Sequence, residues 1–291
     1  MAPHTAVMQT LNGRIAIVGG ASRGAGRGIA VALGDAGANV YVAARSYRGG
    51  PKPADGAPGT VEDTAEQVTA RGGIGIPVRA DLSKEEEVAS LFRRVQEEHG
   101  RLDVLASSVW GPNFLDVWSQ PFWELEPSLW RETLETVDAC WRTSVHAARM
   151  MVKQKRGLIV HVTDNYPDDS SRWRGQVLHD VGHECLNRLI YGMAQPAKTS
   201  GLTIVGLNPG FMRTERVLAA MKTEELKKQF RFDLSESPEF IGRAVSALAG
   251  DENVIRKTGK LLWAWELAGE YGFTDVDGKI PRFDYSAVAV G

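Results

Sequence analysis

Residues 14–29 read Arg14-Ile-Ala-Ile-Val-Gly-Gly-Ala-Ser-Arg-Gly-Ala-Gly-Arg-Gly-Ile29, and they decide the fold. The opening run of branched and small apolar residues has the composition of a strand buried on both faces. It leads into Gly20-x-x-x-Gly24-x-Gly26, and a helical pattern follows directly. Glycines serve such a loop because the turn is tight, the backbone must come close to a pyrophosphate, and the next helix must pack against the sheet. A Gly-rich turn without a ligand is the plainer alternative. The strand before, the helix after and the position at the first strand of the chain favour a dinucleotide site, with Gly20, Ser22, Arg23, Gly24, Ala25 and Gly26 as its phosphate loop.

Outward from this unit, short β-branched runs alternate with longer helical patterns. Arg14–Val18, Asn39–Ala43, Gly75–Arg79, Val104–Ser107, Leu158–Val162, Thr203–Leu207 and Lys260–Trp263 read as strands. Such alternation predicts an α/β fold, a Rossmann-type doubly wound parallel sheet of about seven strands. No linker, repeat or break in composition divides the chain. Residues 11–291 are therefore expected to form a single domain behind a flexible tail over residues 1–10. The Pro/Gly-rich stretch Gly49–Gly59 reads as a surface loop after the second strand.

Across 291 residues, 34 Lys plus Arg stand against 36 Asp plus Glu, a formal net charge of −2. That balance provides no general attraction to nucleic acid or anionic lipid, and a small-molecule substrate is the expected partner. With 43% hydrophobic and 24% charged residues, disordered and collagen-like classes are excluded. Two cysteines, Cys140 and Cys185, exclude a disulfide framework and suit a reducing compartment. No run approaches the roughly 20 apolar residues that span a bilayer, so no membrane association and a cytoplasmic location are expected. Four of the six histidines, His146, His161, His179 and His183, lie close together in the chain.

At the end of the second strand, an NAD-specific site places a carboxylate against the ribose 2′-hydroxyl. Here the sequence is Val42-Ala-Ala-Arg45-Ser46. Arg45 and Ser46, with Arg23 from the glycine loop, suit a 2′-phosphate, because guanidinium forks match phosphate oxygens. NADP(H) is the expected cofactor. The alternative is that Arg45 is a solvated residue at a strand end.

In these features the chain resembles the short-chain dehydrogenase/reductase family from Leu11 to about Gly278. Gly20, Gly24 and Gly26 match its cofactor loop, and Asp81-Leu82 matches the pair that contacts adenine. Leu102-Asp-Val-Leu105 leads into the fourth strand. Asn208-Pro209-Gly210-Phe211-Met212-Arg-Thr214 matches the segment that covers the nicotinamide, which implies cofactor roles for Pro209, Gly210 and Thr214. The tail around Tyr271–Gly278 resembles the subgroup called dehydrogenase/reductase member one. The resemblance also implies a homodimer or homotetramer.

The departures from the family pattern carry more information. Where the family has Asn-Asn-Ala-Gly, this chain has Ser107-Ser108-Val109-Trp110, which retains hydroxyls for backbone or ribose contacts. Trp130 sets a register that puts the active-site Asn position at Val137, or at Thr136 or Asp138 if the helix slips. The catalytic Ser position holds Asp164, after Thr163. Tyr-x-x-x-Lys is replaced by His179-Asp-Val-Gly-His183.

Positions 179 and 183 are one helical turn apart and share a face. A histidine titrates near neutrality without help, so His179 is a chemically sensible acid in place of Tyr. Asp164, if within reach, fixes the His179 tautomer and stabilises its imidazolium. His183 is expected to bind the nicotinamide ribose in place of Lys, with less assured charge. Tyr166 is the rival acid. Two imidazoles and a carboxylate also make a possible metal-ligand set, but no metal is expected. His146 and His161 read as packed or capped residues, and His4 and His99 as exposed.

Trp110 and Trp118 are expected to line an apolar pocket, and the family resemblance implies that Phe211 and Met212 belong to a lid covering the substrate. Trp123, Trp130 and Trp141 are expected in the core or a subunit interface, and Tyr191 in buried packing. The sequence favours an NADPH-dependent oxidoreductase that passes hydride to a C=O, C=N or activated C=C bond of a bulky apolar substrate. Two alternatives stand beside it: a non-redox lyase, isomerase or cyclase using Asp164 and His179 as general base, and a nucleotide-binding homologue without catalysis.

Overall fold

The computed structural model describes residues 11–51, 53, 56–111, 117, 118, 120–164 and 173–283. The expected tail over residues 1–10 lies outside this set. Among the described residues the strands are β1 (Ile15–Gly19), β2 (Asn39–Ala44), β3 (Ile74–Arg79), β4 (Val104–Ser107), β5 (Gly157–Val162), β6 (Leu202–Asn208) and β7 (Leu261–Trp263). They form one sheet in the order β3-β2-β1-β4-β5-β6-β7, with every pairing parallel. The seven expected strands are all present, with ends shifted by about one residue, as fraying ends allow.

Two helical layers cover the sheet. On one face lie α1 (Gly24–Asp35), α2 (Val61–Ala70), α8 (Pro238–Gly250) and α9 (Ala264–Tyr271). On the other lie α3 (Glu85–His99), α4 (Ser128–Gln154) and α5 (Val177–Ala197). Strand β1 shows how the sequence serves both layers: Ala16 and Val18 enter the first core, and Ile15 and Ile17 the second. Side chains alternate along a strand, so an unbroken apolar run is what a doubly covered sheet requires. Two short helices, α6 (Glu215–Ala220) and α7 (Glu224–Gln229), follow β6 above the carboxyl ends of the strands.

Strand order reverses between β1 and β4. A crevice opens there, outside the carboxyl ends of the strands, where open α/β sheets place their ligands. Among the described residues, no helix is long and apolar enough to cross a membrane.

Candidate active site

The glycine loop is the floor of the crevice. Gly20 has φ +73°, and a Cβ there would lie 2.5 Å from the Ser108 carbonyl oxygen, so the loops after β1 and β4 meet only if residue 20 has no side chain. Gly26 is held just as closely, since its Cβ would sit 2.4 Å from the Gly20 oxygen. A cavity of about 430 Å³ opens above them. Its lining includes Gly20, Ser22, Arg23, Gly24 and Ala25 from the first loop, and Arg45 and Ser46 from the end of β2. Asp81, Leu82, Ser108, Trp110, Thr136 and Thr214 complete most of its wall. This donor set suits a dinucleotide: a glycine-rich backbone loop, a helix N-terminus, and two guanidinium groups, Arg23 from the loop and Arg45 from the end of the second strand.

Several details refine that cradle. Arg23 Nη2 donates to Ser46 Oγ at 2.8 Å, which ties the two sequence-predicted phosphate contacts to each other. The Asp81 carboxylate accepts from Ser83 N–H at 3.1 Å and Ser83 Oγ at 2.8 Å, an Asx turn that leads into α3. Ser107 is buried, its hydroxyl 3.5 Å from Cys140 Sγ, and is not among the cavity-lining residues. Glu215 escaped the sequence reading. Its carboxylate accepts the Gly24 N–H at 2.9 Å and pairs with Arg27 at 3.1 Å, bringing α6 onto the N-terminus of α1. Its place beside Thr214 in the segment after Pro209-Gly210 was the one available signal.

Beside this cradle, β5 ends at Thr163 and Asp164 and faces the first turns of α5. Gln176 caps that helix, its side-chain oxygen accepting from Leu178 N–H at 2.6 Å and His179 N–H at 3.0 Å. The cap sets the register that brings the two histidines together, with ring centroids 4.5 Å apart. His179 Nε2 lies 3.6 Å from Asp164 Oδ2, ion-pair distance. The Trp110 ring approaches His179 edge-on at 5.4 Å, and the Trp118 ring lies at 5.2 Å.

His183 is more deeply placed. It is 8% exposed, its ring stacks on Trp110 at 4.3 Å, and its Nδ1 accepts the backbone N–H of Asp164 at 3.0 Å. Burial, with the nearby His179 and Arg174, pushes the His183 imidazole down to about 3 against the pull of Asp164. Asp164 also receives Asn208 Nδ2 on Oδ1 at 3.1 Å, while its carbonyl accepts Asn187 Nδ2 at 3.2 Å. Burial alone would raise its carboxyl. The His179 contact, His183 and the Arg174 guanidinium outweigh that and hold it below the usual carboxylate range. Arg174 and Asn187 carry no signal in the sequence, because no local pattern marks a contact between residues distant in the chain.

Other expectations fall elsewhere. Met212 is 8% exposed and packs into the core beneath α1 and α8. It bridges Glu236 in extended backbone, where successive side chains alternate, so it turns inward and is not a lining residue. Phe211 packs against the rings of Phe232 and Phe283 at 6.3 and 5.1 Å. Trp123, Trp130 and Trp141 are exposed in the single chain, so the core reading of them is corrected. Tyr191 is likewise exposed, beneath the Arg188 guanidinium, and His99 is half-buried against Tyr41. His161 is fully buried and bonds Ser144 Oγ at 2.8 Å, while His146 meets Glu85 at 2.9 Å. Thr136, of the three positions considered for the missing Asn, lines the cavity and accepts Gly111 N–H at 3.2 Å. Tyr166 lies outside the described residues. Among those described, no three His, Cys, Asp or Glu side chains are grouped to hold a metal, and the His183 nitrogen that would face Asp164 is taken by a backbone N–H.

Comparison with known proteins agrees with this architecture. Residues 14–225 match the family described as short chain dehydrogenase. The mouse protein named dehydrogenase/reductase SDR family member 1 is 36% identical over 286 residues, covering 94% of this chain and 87% of its own. Its human counterpart is 35% identical over 290 residues, with 96% and 88% covered. Among solved structures, a putative dehydrogenase from Xanthomonas campestris superposes with a TM-score of 0.76 at 21% identity, covering 93% of this chain and 94% of that one. The glycine cradle, the strand order and a family match spanning most of the sheet lead to one conclusion: this chain belongs to the short-chain dehydrogenase/reductase family of oxidoreductases.

Proposed function

We propose that the protein is an NADP(H)-dependent reductase that adds hydride to a C=O, C=N or activated C=C bond of a bulky, largely apolar small molecule, with His179 as the proton donor. The observation that carries this reading is the position of the His179 imidazole, at 3.6 Å from Asp164 and between the rings of Trp110 and Trp118. Gly20, Ser22, Gly24, Ala25 and Gly26 would hold the pyrophosphate, and Arg23, Arg45 and Ser46 the 2′-phosphate. Asp81 and Leu82 would face adenine, and Ser108, Pro209, Gly210 and Thr214 the nicotinamide half. When bound, the dihydronicotinamide supplies the hydride.

The remaining chemistry belongs to the chain. His179 gives its proton to the substrate oxygen, nitrogen or carbanion carbon as hydride arrives at the other end of the double bond, and solvent then reprotonates it. Asp164 orients the imidazole and stabilises its cationic form. His183 presents an apolar, neutral ring face rather than a charge. The Trp110 and Trp118 rings exclude water and supply the apolar contact area.

The same Asp164–His179 pair also suits general-base catalysis without redox change, and this second reading differs in one measurable respect. Incubation with a panel of aldehydes, ketones, imines and enones should consume NADPH in proportion to product formed. Turnover of a substrate without NADPH consumption would favour the lyase, isomerase or cyclase. We also assign the exposed Trp130, Leu134, Trp141 and Tyr191 of α4 and α5 to contacts between copies in a homodimer or homotetramer, and the protein to the cytoplasm.

A further inference from the structure

We propose that Arg174 is the positioning residue of this histidine-based site: its buried guanidinium holds the Asp164 carboxylate beside His179 and supplies the permanent positive charge among groups otherwise able to lose theirs. The Arg174 side chain is 3% exposed. It donates to Asp180 Oδ1 at 2.6 Å, to Glu184 Oε1 at 2.7 Å and to the Asp164 carbonyl at 3.2 Å, and its Nε lies 3.7 Å from Asp164 Oδ2.

A staple between the loop and α5 would need only Asp180 and Glu184, which lie one turn apart on the helix. The further contacts reach across to the end of β5, to both the backbone and the carboxylate of the residue that faces His179. Burying a guanidinium is costly unless it is paired and hydrogen-bonded; Nη1 and Nη2 make three hydrogen bonds, and Nε faces the Asp164 carboxylate at ion-pair distance. At the position where the resemblance places lysine stands His183, whose Nδ1 is committed as an acceptor to the Asp164 N–H. Charge at this corner therefore comes from Arg174.

The groups that face the Asp164–His179 pair define the expected electrostatics. From the loop before α5 comes Arg174, and from α5 come Asp180, His183 and Glu184. Asn208 from β6 and Trp110 after β4 are neutral. Among the described residues that face the pair, Arg174 is the one permanent cation, and removing it leaves three carboxylates and makes protons harder to release. Removing Asp180 has the opposite sign.

The test follows the imidazole ring proton of His179 by NMR across pH, which needs no substrate and no turnover. In Arg174→Gln the titration of the Asp164–His179 pair should move to higher pH by about one unit, the usual effect of losing an opposite charge at this range. In Asp180→Asn, a change at a partly exposed position, it should move to lower pH. Arg174→Lys should retain the wild-type titration while turnover falls about tenfold, since one ammonium cannot hold three acceptors in a plane. An unchanged titration in Arg174→Gln, or shifts of the same sign in Arg174→Gln and Asp180→Asn, would overturn the proposal. If Arg174→Gln does not fold, the direction of the Asp180→Asn shift decides it. The turnover arm rests on the reductase reading; the NMR arm does not, so failure of one is distinguishable from failure of the other.

Discussion

The backbone N–H of Asp164 points at Nδ1 of His183 across 3.0 Å, and the imidazole lies flat against the Trp110 indole. A nitrogen that accepts a backbone N–H cannot carry a proton without breaking that bond, so His183 is neutral with its proton on Nε2. The position that resembles a catalytic lysine thus holds a neutral dipole, fixed by the residue that also faces His179.

Acid should therefore unfold the protein through its buried histidines. The folded-state values of His183, about 3, and His161, about 4, lie below the ordinary 6.5. Between those limits the unfolded chain binds more protons, so stability falls as pH drops below about 6.5 and levels off only below the folded values. Each site contributes a slope of about 1.4 kcal/mol per pH unit. Urea midpoints measured from pH 7 to pH 4.5 should fall, and less steeply in His161→Gln, whose glutamine keeps a hydrogen-bonding group near Ser144 without a titrating one.

His179→Phe should reduce turnover by at least a hundredfold while nicotinamide fluorescence still reports NADPH binding within about twofold of wild type. Full activity in this variant would remove His179 from the chemistry.

Arg45 is exposed at the end of β2, and Arg23 is already engaged by Ser46. Arg45→Ala should weaken NADPH binding at least tenfold and leave NADH nearly unchanged, because only the first has a 2′-phosphate for the guanidinium. Equal losses for both nucleotides, measured by the same fluorescence titration, would argue that Arg45 is a solvated side chain.

Glu215 places a carboxylate on the Gly24 N–H, at the helix end where a pyrophosphate is expected. Two anions at one helix N-terminus compete. Glu215→Gln should tighten NADP(H) about twofold to fivefold in the same fluorescence titration. Weaker binding in the variant would instead make Glu215 a latch that helps retain the nucleotide.

Much of this molecule is legible in its amino-acid sequence. The strand runs and the glycine loop are local signals: a doubly covered strand needs an unbroken apolar run, and a loop packed against Ser108 needs Gly20. The same locality explains the misreadings. Residue type points Tyr191 inward and the family resemblance puts Met212 over the substrate, but exposure depends on which helix face a neighbour covers and on which way an extended segment alternates.

Residue identities alone put a carboxylate at 164 and imidazoles at 179 and 183, and so defined which groups can move a proton. Tertiary packing decided what each touches. The contact from Asp164 to Asn208 joins residues 44 apart, and that from Gly24 to Glu215 joins residues 191 apart. No periodicity encodes such pairs, because they arise where the ends of β5, β6 and α5 converge above the sheet. Hydrogen-bond direction at that convergence made His183 an acceptor, and packing buried Arg174 among the carboxylates of Asp164, Asp180 and Glu184.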